Sequence, residues 1–382
     1  MSLTSGLFGW LVVLLTAGAF AGLVAWWPHL AGRAAPRLLA RAGLLLGVNL
    51  LVLLTAAVQL NDQFLFFADW TDLSGALGGT TATSDLHQGG EAGRAAAAPV
   101  PGDAAAPVTA LQPLPAGGHV QDGVTSYRIT GVRSGVTAEV LVTLPPGYDA
   151  ADPHAAYPVL ETFSGYPSTA SQWVRTMRLQ ATLGQQEAAH RIRRLIAVSP
   201  QLEVPAGIDT ECVDGPAGHP QLETFLTRDV PDWVAAHFRT RAGRGAWATI
   251  GLSSGGWCAA MAAMLHPAQY GGALVMSGYF QPVFGAGYQP FGPDSGAGHR
   301  YDLVGLARRA PMPLALWVET SRADPLSYAS STALLQAARP PLSVTAIVLR
   351  NAGHRIGIWQ GLLPEALRWL GATLPGFRPD LP

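Results

Sequence analysis

The sequence predicts an α/β domain built on a mainly parallel sheet with helices on both faces, preceded by two transmembrane helices. Three observations predict it. From Val159 onward, short apolar and β-branched runs alternate with helical stretches, the pattern of strands buried on both faces by crossover helices. Met1 to Ala31 holds no Asp, Glu, Lys or Arg. Gly251 to Gly255 read G-x-S-x-G between an apolar run and a small-residue helix, a context that makes a sharp turn with an exposed serine.

In chain order, Leu7 to Trp27 is long enough, at about 1.5 Å per helical residue, to cross a hydrocarbon layer of about 30 Å. Ala42 to Leu60 is just long enough for a second crossing, although it carries Asn49 and Gln59. The connector between them holds Arg33, Arg37 and Arg41. Basic residues in short loops stay cytoplasmic, so both chain ends and the bulk of the protein are expected outside the cytoplasm. A cleaved signal peptide is the competing reading, but Met1 to Gly6 lacks the positive region with which one begins. Trp26, Trp27, Phe64, Phe66, Phe67 and Trp70 lie near the ends of the two runs, where amphipathic rings favour the headgroup layer. Membrane lipids are therefore expected partners of residues 1–74, read as an anchor, and the cell membrane the expected location. Residues 75–122, rich in Ala, Gly and Pro and without apolar periodicity, read as a linker, and 123–382 as the catalytic domain.

In that domain Val124 to Val132 and Val136 to Leu144 predict a hairpin. Strands are expected at Val159 to Phe163, Leu195 to Val198, Trp247 to Ile250, Ala273 to Ser277, Leu314 to Val318 and Val344 to Leu349. Helices are expected at about Thr176 to His190, Glu223 to His237, Gly256 to Leu265, Tyr301 to Arg308, Ser327 to Ala338 and Trp359 to Leu370.

Composition narrows the function. A charged content of 13% is low for a fully soluble chain of 382 residues, in keeping with a part in lipid. With a net charge of −1, no Lys and no dense Arg cluster, nothing points to nucleic acid. No nucleotide-loop, zinc-helix or C-x-x-C signature appears and the ten His show no ligand spacing, so neither a cofactor nor a metal is expected. Asp209, Glu211 and Asp214 read as exposed loop charge ahead of a calcium site. Cys212 and Cys258 are either buried thiols or one disulfide; an extracytoplasmic setting permits the bridge, which would tether the Cys212 loop beside the G-x-S-x-G turn.

Serine is a weak nucleophile at neutral pH, so Ser253 needs a base and an acid that orients the base. In this setting the chain order is serine, acid, histidine. His354 follows the strand ending at Leu349 and is the expected base. Asp324, in the turn after the strand ending at Val318, is the preferred acid, and Glu319 at the end of that strand is its rival. The oxyanion needs preorganised N–H donors. The Ser254 amide is one; the other is expected from the loop Phe163 to Tyr166, at Tyr166 ahead of Gly165. Gly278 to His299, rich in Gly and aromatic residues, is a candidate pocket wall, with Trp173 and Trp359 as weaker candidates.

With these residues placed, the chain resembles the α/β-hydrolase esterases of the mycolyltransferase and feruloyl-esterase-like group. The resemblance spans about Val136 to Leu370 and rests on Pro158 to Tyr166, on Glu223 to Thr227 (E-T-F-L-T) with Asp229 to Trp233, on Gly251 to Gly256, and on Gly353 with His354. It implies the α/β-hydrolase fold and a cofactor-free acyl-enzyme mechanism on carboxylic esters, with hydrolysis or acyl transfer as the outcome and a small-molecule, lipid or sugar ester as the substrate. The anchor and linker depart from the secreted mycolyltransferases, which makes transfer of long lipid chains less secure than ester hydrolysis. The rival reading is a catalytically silent domain serving as an envelope binding or scaffold protein.

Overall fold

The structure is a computed structural model, and it describes residues 3–32, 34–78, 111–285 and 287–379. The chain divides into two units, one of residues 1–84 with 351–358 and one of residues 85–350 with 359–382. Arg33 and most of the stretch read as a linker lie outside the described residues.

In the first unit, α1 (Gly6–Trp26) is capped by Ser5, whose hydroxyl accepts from the Phe8 amide. A short 3-10 turn, Trp27–Leu30, leads into α2 (Ala35–Phe64), which starts earlier than expected and takes Arg37 and Arg41 into its first turns. Nothing from Ala35 to Arg41 breaks a helix, since Pro36 falls in the first turn where its missing N–H costs nothing. Thr16 and Thr55 join the two helices through a hydroxyl pair at 2.8 Å. Leu14, Phe20, Leu39, Leu46 and Leu53 stand exposed, so the outer faces are apolar. Gly6–Leu30 and Ala35–Phe64 are both long and apolar enough to cross a membrane. The helix α3 (Trp70–Leu77) follows, capped by Asp69.

In the second unit, the described residues form one nine-stranded sheet in the order β1-β2-β3-β5-β4-β6-β7-β8-β9. The strands are β1 (Gly118–Gln121), β2 (Val124–Thr130), β3 (Thr137–Thr143), β4 (Val159–Phe163), β5 (Ile196–Pro200), β6 (Trp247–Leu252), β7 (Gly272–Met276), β8 (Ala315–Ser321) and β9 (Ser343–Leu349). Strands β5, β4, β6, β7, β8 and β9 run parallel, and β3 joins β5 antiparallel. Strand β1 lies within the end of the expected linker. Its Gly-containing sequence has little strand preference, and it is held by pairing with β2.

The helices of this unit begin with α4 (Leu179–Ala188), preceded by a π turn at Gln172–Thr176. The expected Glu223–His237 helix is three pieces: α5 (Leu222–Thr224), a π turn at Phe225–Asp229, and α6 (Val230–His237). Pro231 has no N–H to give the carbonyl four residues back, so the helix widens just ahead of it. There follow α7 (Ser254–Leu265), α8 (Gly296–Arg300), α9 (Leu303–Arg309), α10 (Pro325–Ala337) and α11 (Ile356–Thr373). Every residue of α7 except Leu265 is buried, which makes it the central helix behind the serine turn.

Candidate active site

Ser253 stands between β6 and α7 with φ 57° and ψ −126°, a backbone conformation that a residue with a Cβ rarely adopts. Its amide donates to Met276 O at the end of β7, 2.9 Å away, which pins the turn to the neighbouring strand. The flanking glycines are required by close approach. A Cβ on Gly251 would run into the Gly255 carbonyl, and one on Gly255 into the carbonyls of Phe163 and Ser164. The same crowding draws in the loop after β4, since a Cβ on Gly165 would stand 3.3 Å from the Ser253 Cβ.

That loop and the head of α7 are clasped together. The Tyr166 amide donates to Ser254 Oγ at 2.8 Å, and the Gly165 amide to Gln172 Oε1 at 3.0 Å. Ser254 is the first residue of α7, where an amide has no intrahelical acceptor. Cys258, one turn further on, is bridged to Cys212 with their Cα atoms 5.7 Å apart.

The two acids differ in surroundings. Asp324 caps α10, taking the Ser327 hydroxyl at 2.7 Å. Glu319 is buried in β8, where its Oε2 accepts from Ser277 Oγ at 3.0 Å. Burial drives its carboxyl up to about 8, so Glu319 is largely protonated at neutral pH.

His354 belongs to the first unit, where its amide donates to Leu65 O at 2.7 Å. Its neighbours are held by the same segment: Gly353 N donates to Asp72 Oδ2 at 3.1 Å, and Asn351 Nδ2 to Asp69 Oδ2 at 2.6 Å. No local pattern announces this support, because Asp72 and Gly353 are 281 residues apart in sequence.

The E-T-F-L-T stretch is a cross-link. Glu223 is buried, with His266 Nε2 at 2.7 Å, the Tyr301 hydroxyl donating at 2.6 Å, and the Arg300 guanidinium against it. Burial alone would raise its carboxyl, but these three partners overcome that and hold it at about 2. Thr224 donates from both its amide and its hydroxyl to Asp214. Because the folded value lies below the ordinary one, this stabilisation is complete above the unfolded carboxylate range and is lost as pH falls from about 4.5 towards 2. The shift corresponds to about 3 kcal/mol. Glu223→Gln should therefore lower the urea midpoint at pH 7 and leave it nearly unchanged at pH 2.

The acids around Cys212 are not the exposed loop charge expected. Glu211 is buried, takes the Tyr279 hydroxyl at 2.5 Å, and is raised well above the carboxylate range by burial and then by Asp209. Asp214 is committed to Thr224. Local sequence could not reveal this, because the bonded partners come from distant elements. Among the described residues no group of three or more His, Cys, Asp or Glu is placed to hold a metal ion.

Of the segment Gly278 to His299, Tyr279 and Phe280 are core residues, Tyr279 stacking on Trp257. Phe284 and Phe291 instead line a cavity of about 420 Å³. Trp173 and Trp359 are both buried, and Trp359 Nε1 donates to Ser277 Oγ at 2.9 Å. Both indoles are core residues.

Comparison with known proteins identifies the family and the fold. The Esterase family, described as "Putative esterase", matches residues 133–370. The MPT51/MPB51 antigens of Mycobacterium bovis and Mycobacterium tuberculosis are 30% identical over 158 residues, covering 39% of this chain and 48% of theirs. An uncharacterized protein of Corynebacterium glutamicum is 28% identical over 194 residues, covering 50% of this chain and 43% of its own. The chain thus spans about half the length of the curated relatives it matches. Among solved structures, a ferulic acid esterase superposes with a TM-score of 0.54 at 18% identity, over 65% of this chain and 96% of that one. An S-formylglutathione hydrolase from Agrobacterium tumefaciens gives 0.54 at 15%, over 67% and 98%. At these identities the likeness establishes the fold, that of the α/β-hydrolases.

Proposed function

This chain belongs to the Esterase family, and on that premise we propose that it is a membrane-anchored, extracytoplasmic serine esterase or acyltransferase. The observation that carries the reading is the strained turn at Ser253, which the surrounding backbone tolerates only through Gly251 and Gly255. Strain of this kind persists where function needs the side chain presented.

In the proposed reaction Ser253 Oγ attacks the ester carbonyl while His354 takes its proton. His354 returns that proton to the departing alcohol, leaving an acyl group on Ser253. Water or a second alcohol then attacks the acyl-enzyme, again with His354 as base, and releases acid or new ester. The Ser254 amide faces the developing oxyanion, joined by the Tyr166 amide once it turns from Ser254 Oγ. The cavity beside Phe284 and Phe291 is a candidate for the acyl or aryl portion of a small-molecule, lipid or sugar ester.

Asp324 is the proposed acid. A carboxyl that keeps its proton to about 8, as Glu319 does, gives little charge to an imidazolium at neutral pH. Asp324→Asn should lower kcat by about 10³- to 10⁴-fold and Glu319→Gln by far less. Steady-state rates on a short-chain aryl ester check this, and the reverse ranking refutes the assignment.

Two helices able to cross a membrane support the anchor. A membrane-impermeant fluorophosphonate applied to intact cells tests function and topology together. Labelling that Ser253→Ala abolishes is expected. Labelling only after lysis overturns the topology, and none in either state favours a catalytically silent scaffold domain.

A further inference from the structure

We infer that the segment just after the second apolar helix is part of the catalytic apparatus, with Asp72 as a positioning residue that holds the His354 loop. The inference rests on the proposed role of His354 as base. The contacts themselves all lie within the first unit.

The segment is itself fixed. Leu65 closes α2 in a left-handed conformation, and the Asn61 side chain brackets Phe67, accepting from its amide at 2.8 Å and donating to its carbonyl at 3.0 Å. This turns the chain so that the carbonyls of Leu65 and Phe66 face residues 353–355. His354 N reaches the first of these, and Arg355 Nη1 the second at 3.1 Å. A Cβ at Gly353 would collide with the Phe66 carbonyl, so glycine there is the condition for the two backbones to meet.

Asp72 is the centre of the arrangement. It is buried, and its carboxylate takes four donors: the Ala68 amide at 3.0 Å, the Gly353 amide at 3.1 Å, and Arg355 through Nη1 at 2.5 Å and Nη2 at 2.6 Å. A fork-on-fork pair of this kind fixes direction as well as distance. The Arg355 guanidinium also lies over the Phe67 ring, 5.1 Å from its centroid. Residues on both sides of His354 are therefore gripped, and its own amide is bonded. A buried carboxylate with four donors, three of them from residues 353–355, fixes this short loop more closely than packing alone would. It is accounted for if the imidazole must be held, because misplacing a catalytic group by about 1 Å can cost about 100-fold in rate.

The test uses the full-length protein in lipid nanodiscs, with fluorophosphonate labelling, kcat and KM on an aryl ester, and hydrogen exchange of the amides at 353–355. Two variants are compared with the native chain: Asp72→Asn, and the double change Asp72→Asn with Arg355→Gln, which strands no buried charge and covers the case where the single variant fails to fold. The expected result is a fall in kcat of about 10- to 100-fold with KM within about twofold, and faster exchange at 353–355. A general loss of structure would move KM and exchange throughout the protein. Unchanged kcat in the folded double variant overturns the inference, as does unchanged exchange at 353–355. If the native protein neither labels nor turns over, the esterase reading has failed; if it does both, failure of the inference is read separately from the variants.

Discussion

Ser253→Ala is expected to lower kcat by about 10⁴- to 10⁶-fold while leaving the fold intact. Removing Oγ deletes the only proposed covalent acceptor for the acyl group, and what survives is the rate that binding and oxyanion donors give to water. Because a nucleophile and its base act as a unit, adding His354→Ala to Ser253→Ala should cost almost nothing further. Independent, additive losses would contradict the joint role proposed for the two side chains. The backbone supplies a second readout. At φ 57° and ψ −126° a Cβ is strained, so Ser253→Gly should be more stable than Ser253→Ala by about 1–2 kcal/mol, though equally inactive. Thermal or urea unfolding of the two variants measures this, and equal stability would mean that the turn stores no strain.

The second large effect is expected from Gly255→Ala. The added methyl has nowhere to go: the carbonyls it meets, those of Phe163 and Ser164, are the end of β4 and the start of the loop bearing Tyr166. Backbone on both sides must move, for a cost of about 2–4 kcal/mol, and fluorophosphonate labelling of Ser253 should fall with it. Gly184 in α4 is the contrasting case. Nothing lies within 4 Å of a Cβ placed there, so Gly184→Ala should leave labelling alone and add up to about 1 kcal/mol of stability. If both substitutions behaved alike in unfolding and labelling, close packing at the turn would not explain the glycine at 255.

The sheet was legible wherever burial on both faces leaves a continuous apolar run. That is why β4 to β9 and the β2–β3 hairpin fall close to where hydrophobicity alone puts them. Strand β1 was not legible, since pairing with β2 makes it a strand and its own composition does not. The serine turn could be read because a strand, two glycines and a small-residue helix are consecutive in sequence. Glu211 and Asp214 were misjudged because their partners Tyr279 and Thr224 lie in other elements. The support of the His354 loop was illegible for the same reason in its most extreme form, as Gly353 and Asp72 are 281 residues apart.

That separation bears on how such a gene can change. An anchor is ordinarily interchangeable, since any sufficiently apolar helix will hold a domain at a membrane. Here the stretch immediately after the second helix meets residues more than 280 positions further along the chain. Replacing the proposed anchor by recombination would discard Leu65, Phe66 and Asp72 along with the two apolar helices, and a domain expressed from β1 onward would lack them entirely. The segment from Leu65 to Asp72 and the residues around position 354 are thus expected to be exchangeable only together.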